Sequence, residues 1–234
     1  MTPATIASLT TAGGTLILAV ATFSSTRSAN RAARIAERSL LASLRPVLVH
    51  AQLGDPRQKI GFADDHWVHI DGPSAVFDVA DDAIYLAFGL RNVGTGMAIL
   101  QSWYPTPYRL LGTQMYQPIE EFRAQTRALY VPSGGLGFWQ GALRDPSEQV
   151  FSDFKAAEQG RQAVTIDLLY SDMNGGQRTV TRLSLMPTPG KRSDADDPDP
   201  DERYGQNHSW IASIGTHWLI DDHAPRRFNH PLTR

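Results

Sequence analysis

His66 and His69 stand three residues apart behind Asp64-Asp65, and His217 stands close to Asp221, Asp222 and His223. Imidazoles and carboxylates so grouped are the material of zinc sites and acid–base pairs. Spacing limits both groups. On a strand, positions i and i+3 face opposite sides, so His66 and His69 reach one ion only if the chain bends between them. The plainer reading is the polar ends of an exposed strand. His217, Asp221 and His223 fall toward the end of the last strand the pattern supports, where exposed polar residues are ordinary. They are also the residues that an anchored hydrolase or metal-dependent enzyme would use.

Other chemistry is thinner. The run Asp194 to Glu202 concentrates carboxylates, but it lacks the alternating Asp loop with a terminal Glu of a calcium site, and its prolines restrict chelate folding. Gly134-Gly135-x-Gly137 is followed by no Lys-Ser/Thr and no helix start, so it reads as a strand connection rather than a phosphate loop. There is no cysteine, hence no thiol nucleophile, and no Gly-x-Ser-x-Gly elbow. Trp103, Trp139, Trp210 and Trp218 suit a core or its rim better than a ligand box. These patterns assign no catalytic, cofactor-binding or metal-ligating residue.

The strongest signal is at the start of the chain. No charged side chain occurs from Met1 to Thr26; Arg27, Arg31, Arg34, Arg38 and Arg45 then follow, with only Glu37 against them. About 20 apolar residues cross a bilayer as helix. Ile6 to Phe23 meets that length although Thr, Ser and Gly dilute it; hydroxyls bond back to carbonyls one turn earlier and are tolerated in lipid. A cleaved secretory signal would carry its cations before the apolar run, not after it. Residues 1–26 are therefore predicted as a single transmembrane helix, contacting lipid through residues 5–25. The positive-inside rule places the N-terminus outside and everything after Arg27 in the cytoplasm, at the inner membrane.

Residues 27–45 read as a basic helix continuing the span, because Ala, Arg and Leu dominate and no Gly or Pro intervenes before Pro46. Arg27, Arg31, Arg34 and Arg38 share one face. They could contact anionic headgroups, or serve only as the topology signal. The other face carries Ala29, Ala33, Ala36 and Leu40, and extends back through Thr22, Ala19, Thr15, Ala12 and Ser8. Small residues at that spacing let two helices approach closely, so a homo-oligomer through this seam of a helix roughly 60 Å long is a second expectation.

The chain has 234 residues and a formal net charge of −2; since the first 45 carry five Arg and one Glu, the remainder carries −6. A mildly acidic body argues against nucleic acid as partner. Residues 46–220 suffice for one cored domain. Alternation marks strands at 47–52, 66–70, 84–90 and 97–103, the last broken by Pro105 and Pro107. Residues 117–126 suggest a short helix, 127–131 and 136–143 strands, and 147–159 a helix capped by Ser147 or Asp145 and stopped by Gly160. Residues 163–170 and 177–186 flank Asn174-Gly175, a strong hairpin cue. A polar, acidic loop follows at 187–206, then a strand at 209–220 and a flexible tail at 221–234. Seven or eight strands, mostly joined as hairpins, argue for an all-β sandwich, with a barrel as the alternative.

Two short motifs carry a resemblance. A long strand running into Arg91-Asn92-Val93-Gly94-Thr95-Gly96-Met97-Ala98, and later Tyr170-Ser171-Asp172 leading to Gly175-Gly176, resembles a type of uncharacterised bacterial membrane-anchored protein. In that type an N-terminal transmembrane helix and helical stalk precede an immunoglobulin-like β-sandwich. The resemblance covers the layout of residues 5–186 and implies fold and anchoring, not activity. The functional expectation is a single-pass membrane protein presenting a cytoplasmic β domain to an unidentified protein partner. The alternatives are the anchored enzyme using His217, Asp221 and His223, and a self-associating structural component.

Overall fold

A computed structural model describes residues 3–80, 82–112, 114–188 and 210–220. The chain divides into two units, Met1–Ser43 and Leu44–Arg234. The first is one helix, α1 (Pro3–Ser43), continuous through the glycine pair and into the arginine-rich stretch. Its hydroxyls turn inward onto its own backbone, as expected: Thr22 Oγ1 donates to Leu18 O at 2.7 Å and Thr26 Oγ1 to Thr22 O at 2.9 Å. Leu18, Val20 and Phe23 are exposed. Among the described residues no helix is long and apolar enough to cross a membrane. The side chains of residues 1–13 and of Leu16 and Ile17, which carry most of the expected span, lie outside the described residues, as does that of Arg38.

The second unit is mainly β. Its strands are β1 (Leu48–His50), β2 (Gln58–Gly61), β3 (Trp67–Ile70), β4 (Ser74–Val79), β5 (Ile84–Asn92), β6 (Ala98–Thr106), β7 (Arg123–Val131), β8 (Leu136–Leu143), β9 (Val164–Ser171), β10 (Arg178–Pro187) and β11 (Trp210–Ile220), with α2 (Gln149–Gln159) between β8 and β9. Nine of them make one antiparallel sheet in the order β1-β5-β4-β11-β10-β9-β6-β7, with β8 on β5. The sheet curls strongly into a half-barrel instead of dividing into two facing sheets. Continuity comes from β11, which pairs with β10 along its length and passes two residues, Trp210↔Ala75 and Ile211↔Ser74, onto β4.

Curling brings one face of every long strand together. Ile84, Leu86, Phe88 and Leu90 of β5 meet Trp139, Leu168, Tyr170, Leu183 and Trp210 in the main core. The sequence predicts that β5 buries one face strongly; both are buried. Tyr85 and Ala87, on the other side, lie under the β2–β3 hairpin with Ile60, Phe62, Val68 and Ile70.

Several expectations change. Pro105 does not end β6, which continues to Thr106. The β7 ladder stops at Trp103↔Arg123 while β9 still pairs at Pro105↔Ile166, so on the side of β7 no ladder partner misses the absent N–H. Residues 117–126 hold only a single 3-10 turn, Ile119–Glu121, before β7 begins at Arg123. Neither Ser147 nor Asp145 caps α2; Glu148 occupies the cap position, and Asp145 Oδ1 accepts from Ser147 in the turn before it. The acidic loop beyond Thr188 and the tail from Asp221 lie outside the described residues.

Both motifs behind the resemblance hold the start of the β unit. Asn92 is fully buried: its Oδ1 accepts from Val47 N (3.1 Å) and Gly94 N (3.0 Å), and its Nδ2 donates to Gly96 O (2.6 Å) and Val131 O (3.0 Å). Tyr170 Oη accepts from Leu48 N at 3.2 Å. Gly94 and Gly96 do not adopt positive φ. They admit close backbone: a Cβ on Gly96 would stand 1.8 Å from Leu44 O, and one on Gly94 2.3 Å from Arg45 O. Gly175, at φ 72°, does supply the left-handed residue of the β9–β10 turn, which Asp172 Oδ1 closes by accepting from Gly176 N and Gln177 N.

Candidate functional site: an arginine-lined seam

The histidine and carboxylate groups separate. His66 and Asp64 do meet, but around a tyrosine: the His66 ring stacks on Tyr85 with centroids 3.9 Å apart, and its Nε2 lies 3.1 Å from Asp78 Oδ2. Tyr85 Oη donates to Asp64 Oδ2 at 2.6 Å, and Arg144 Nη2 donates to the same oxygen at 2.8 Å. Burial, followed by the hydrogen bond to Asp64 and then the Asp64 charge, pushes the Tyr85 phenol up to about 12. Burial works against the Asp64 carboxylate, but the Tyr85 and Arg144 hydrogen bonds prevail and hold it below the usual range. His69 is placed elsewhere, opposite Lys59 in the β2–β3 ladder.

His217 is drawn into a hydrogen-bonded row. Leu48 N donates to Tyr170 Oη, which lies 3.0 Å from Thr181 Oγ1, which lies 2.7 Å from His217 Nδ1. Burial lowers the His217 pKa and so favours the neutral imidazole, whose Nδ1 accepts from or donates to Thr181 according to its tautomer. Asp221, Asp222 and His223, its expected partners, lie outside the described residues. No group of three His, Asp or Glu side chains that could hold a metal occurs among the described residues. Of the tryptophans weighed above, Trp103, Trp139 and Trp210 are core, and Trp218 lies under the Arg182 guanidinium.

That guanidinium belongs to a buried pair with no counterpart among the sequence candidates. Arg182 on β10 and Asp167 on β9 are opposite in register and each 1% exposed. They join by two parallel bonds, Nε→Oδ1 at 2.8 Å and Nη2→Oδ2 at 2.7 Å. Burial raises the Asp167 pKa against the pull of Arg182. Arg182 Nη1 also donates to Leu111 O and Gln114 O, tying the connection after β6 onto the sheet. Every partner is internal, which makes this pair structural.

The feature with capacity to spare lies between β7 and β8. These strands follow one another through a short turn held by Gly135 N→Pro132 O and Gly134 N→Asn92 O, yet no ladder forms between them; β7 pairs with β6 and β8 with β5. The cause is local. Along β6 the register jumps from Leu100↔Leu129 to Ser102↔Ala124, so residues 125–128 bulge against Gln101 alone. The gap is bridged by a side chain, Gln125 Nε2 donating to Gln140 O at 2.8 Å. Two adjoining clefts of about 300 and 150 Å³ result, sharing Thr126, Gln140, Gly141, Ala142 and Arg144.

Three arginines line them. Arg123 meets Glu148 Oε2 and lies over the Trp103 ring; Arg144 holds Asp64; Arg127, exposed, meets among the described residues only the Gly61 carbonyl, at 3.2 Å. A guanidinium carries five donors, so each keeps most of its capacity. Between them stand acceptors without donors. Gln140 is 6% exposed and its Oε1 has no hydrogen-bond partner among the described residues, nor has Gln125 Oε1. The seam thus offers cationic donors on its walls and unmet amide acceptors on its floor. The sequence hid it because Arg123 fell in an expected helix and a bulge of this kind shows no periodicity. No family model, curated protein or solved structure matches the chain.

Proposed function

We propose that this chain is a membrane-tethered protein-binding module, with α1 as tether and the β7/β8 seam as the surface that meets its partner. The observation that carries the binding reading is the unladdered seam itself. An open strand edge is a template for pairing with another chain, and here it is flanked by Arg123, Arg127 and Arg144. The tether reading rests on the uncharged run Met1–Thr26 followed by the arginines, which sets the N-terminus outside and the β unit on the cytoplasmic side. Arg27, Arg31, Arg34 and Arg38 then lie at the level of anionic headgroups, and the small-residue stripe of α1 permits pairing of two copies. The likeness to membrane-anchored proteins bearing an immunoglobulin-like sandwich supports the layout of helix followed by antiparallel β domain. The anchored-enzyme alternative depends on Asp221, Asp222 and His223, which lie outside the described residues.

Site-specific photo-crosslinking in cells tests the binding reading. The full chain carries the crosslinker either at Thr126 in the seam or at Lys155 on α2. A discrete higher-mass adduct is expected from Thr126 and not from Lys155. Equal yields at both positions, or no adduct at either, would sink the assignment of the seam.

A further inference from the structure

The chemistry of the seam selects its occupant, and we propose that it takes an extended peptide segment bearing carboxylates on alternate residues. This deepens the binding reading above and rests on it. The argument runs from the two kinds of unmet capacity. Arg127 and the spare donors of Arg144 call for an anion. Gln140 Oε1 and Gln125 Oε1 call for the opposite, N–H groups that donate. A phosphate or a free carboxylate meets the first need and leaves the second. An extended acidic peptide meets both: its side chains reach the guanidinia, and its backbone N–H groups meet the amide oxygens once the Gln125 and Gln140 side chains, whose oxygens are closed to solvent, turn toward it.

Shape agrees. Gln140 O points across the gap, since it accepts from Gln125. By strand alternation, the outward backbone groups of β8 recur every second residue from there. A strand laid along this edge would place its side chains two residues apart on each face. Clefts of about 300 and 150 Å³ suit one or two side chains rather than a nucleotide or a folded surface. Arg127 is exposed and outside the core, so reversing its charge leaves the fold intact.

The test is selection of phage-displayed random peptides on the detergent-purified full chain, beside Arg127→Glu and Gln140→Leu variants of matched thermal stability. The expected outcome is enrichment of Asp or Glu at positions two apart. Affinity of a recovered peptide should fall at least ~10-fold in Arg127→Glu, the loss of one charge-assisted pair, and should fall in Gln140→Leu, which keeps every arginine. Recovered peptides without acidic preference, or unchanged binding in Arg127→Glu, would overturn the proposal. So would failure to enrich any peptide, including the case where phosphatidylglycerol vesicles bind through Arg127, which would make the seam a headgroup site. If the Thr126 crosslink persists while acidic preference fails, the seam still binds protein and only the ligand chemistry is wrong.

Discussion

The most consequential single residues in the β unit are polar and buried. Asp167 and Arg182 leave water together and are repaid by each other, by two loop carbonyls and by the Trp218 ring under the guanidinium. Breaking such a pair costs more than replacing both members, because the survivor is left buried and uncompensated. Asp167→Ala is expected to lower stability by about 3–5 kcal/mol in urea unfolding. The double change Asp167→Leu with Arg182→Met should recover much of that loss while raising protease cleavage in the connection around Leu111 and Gln114, which Arg182 no longer holds. His217 gives a pH dependence. Burial depresses its folded pKa below 6.5, so the unfolded chain binds the proton more readily. Stability is full above pH 6.5 and falls as pH drops below it. Melting temperature should therefore decline more steeply between about pH 7 and 5.5 in the native protein than in His217→Asn, whose amide oxygen can still accept from Thr181.

Strands and turns act here through what they leave unpaired. The β5–β6 connection is legible as a turn from Asn92, Gly94 and Gly96. Its work is to receive the backbone of residues 44–47, which cannot be seen until those residues are next to it. Gly96→Ala drives a methyl into Leu44 O and is expected to cost at least ~2 kcal/mol, with Gly175→Ala, strained only in φ, costing about 1 kcal/mol; paired denaturant curves would separate the two. The β7 bulge has the reverse status. Residues 123–131 read as the end of a helix and the start of a strand, whereas one strand runs throughout and is distorted in its middle. Its pattern along the chain was broken by the feature that makes the site.

At the scale of the molecule the chain is built of two units, one a single helix and the other mainly β. The β core begins at Leu48. A chain shortened to residues 44–234 is expected to unfold cooperatively at a melting temperature within a few degrees of the full chain's β unit. The full chain, by contrast, should pellet with membranes and resist alkaline carbonate. Recovery of the intact protein in the soluble fraction would remove the tether and leave the seam to be judged alone.

Sequence alone determined that this chain opens with one long helix, that cations follow its uncharged stretch, and that the remainder is mainly β. Those properties are local. Helix propensity, period-two alternation and the Asn174-Gly175 turn are each written within a few neighbouring residues, so β5, the β9–β10 hairpin and α2 were found near their observed bounds. Tertiary structure alone decided that the strands would close on themselves in one curled sheet. It also decided that Asp167 would meet Arg182, and that Arg123, Arg127 and Arg144 would converge. Each of these depends on which strand lies beside which and in what register, and register is set by burial summed over distant partners. The seam is the extreme case, for it exists where a ladder failed to form.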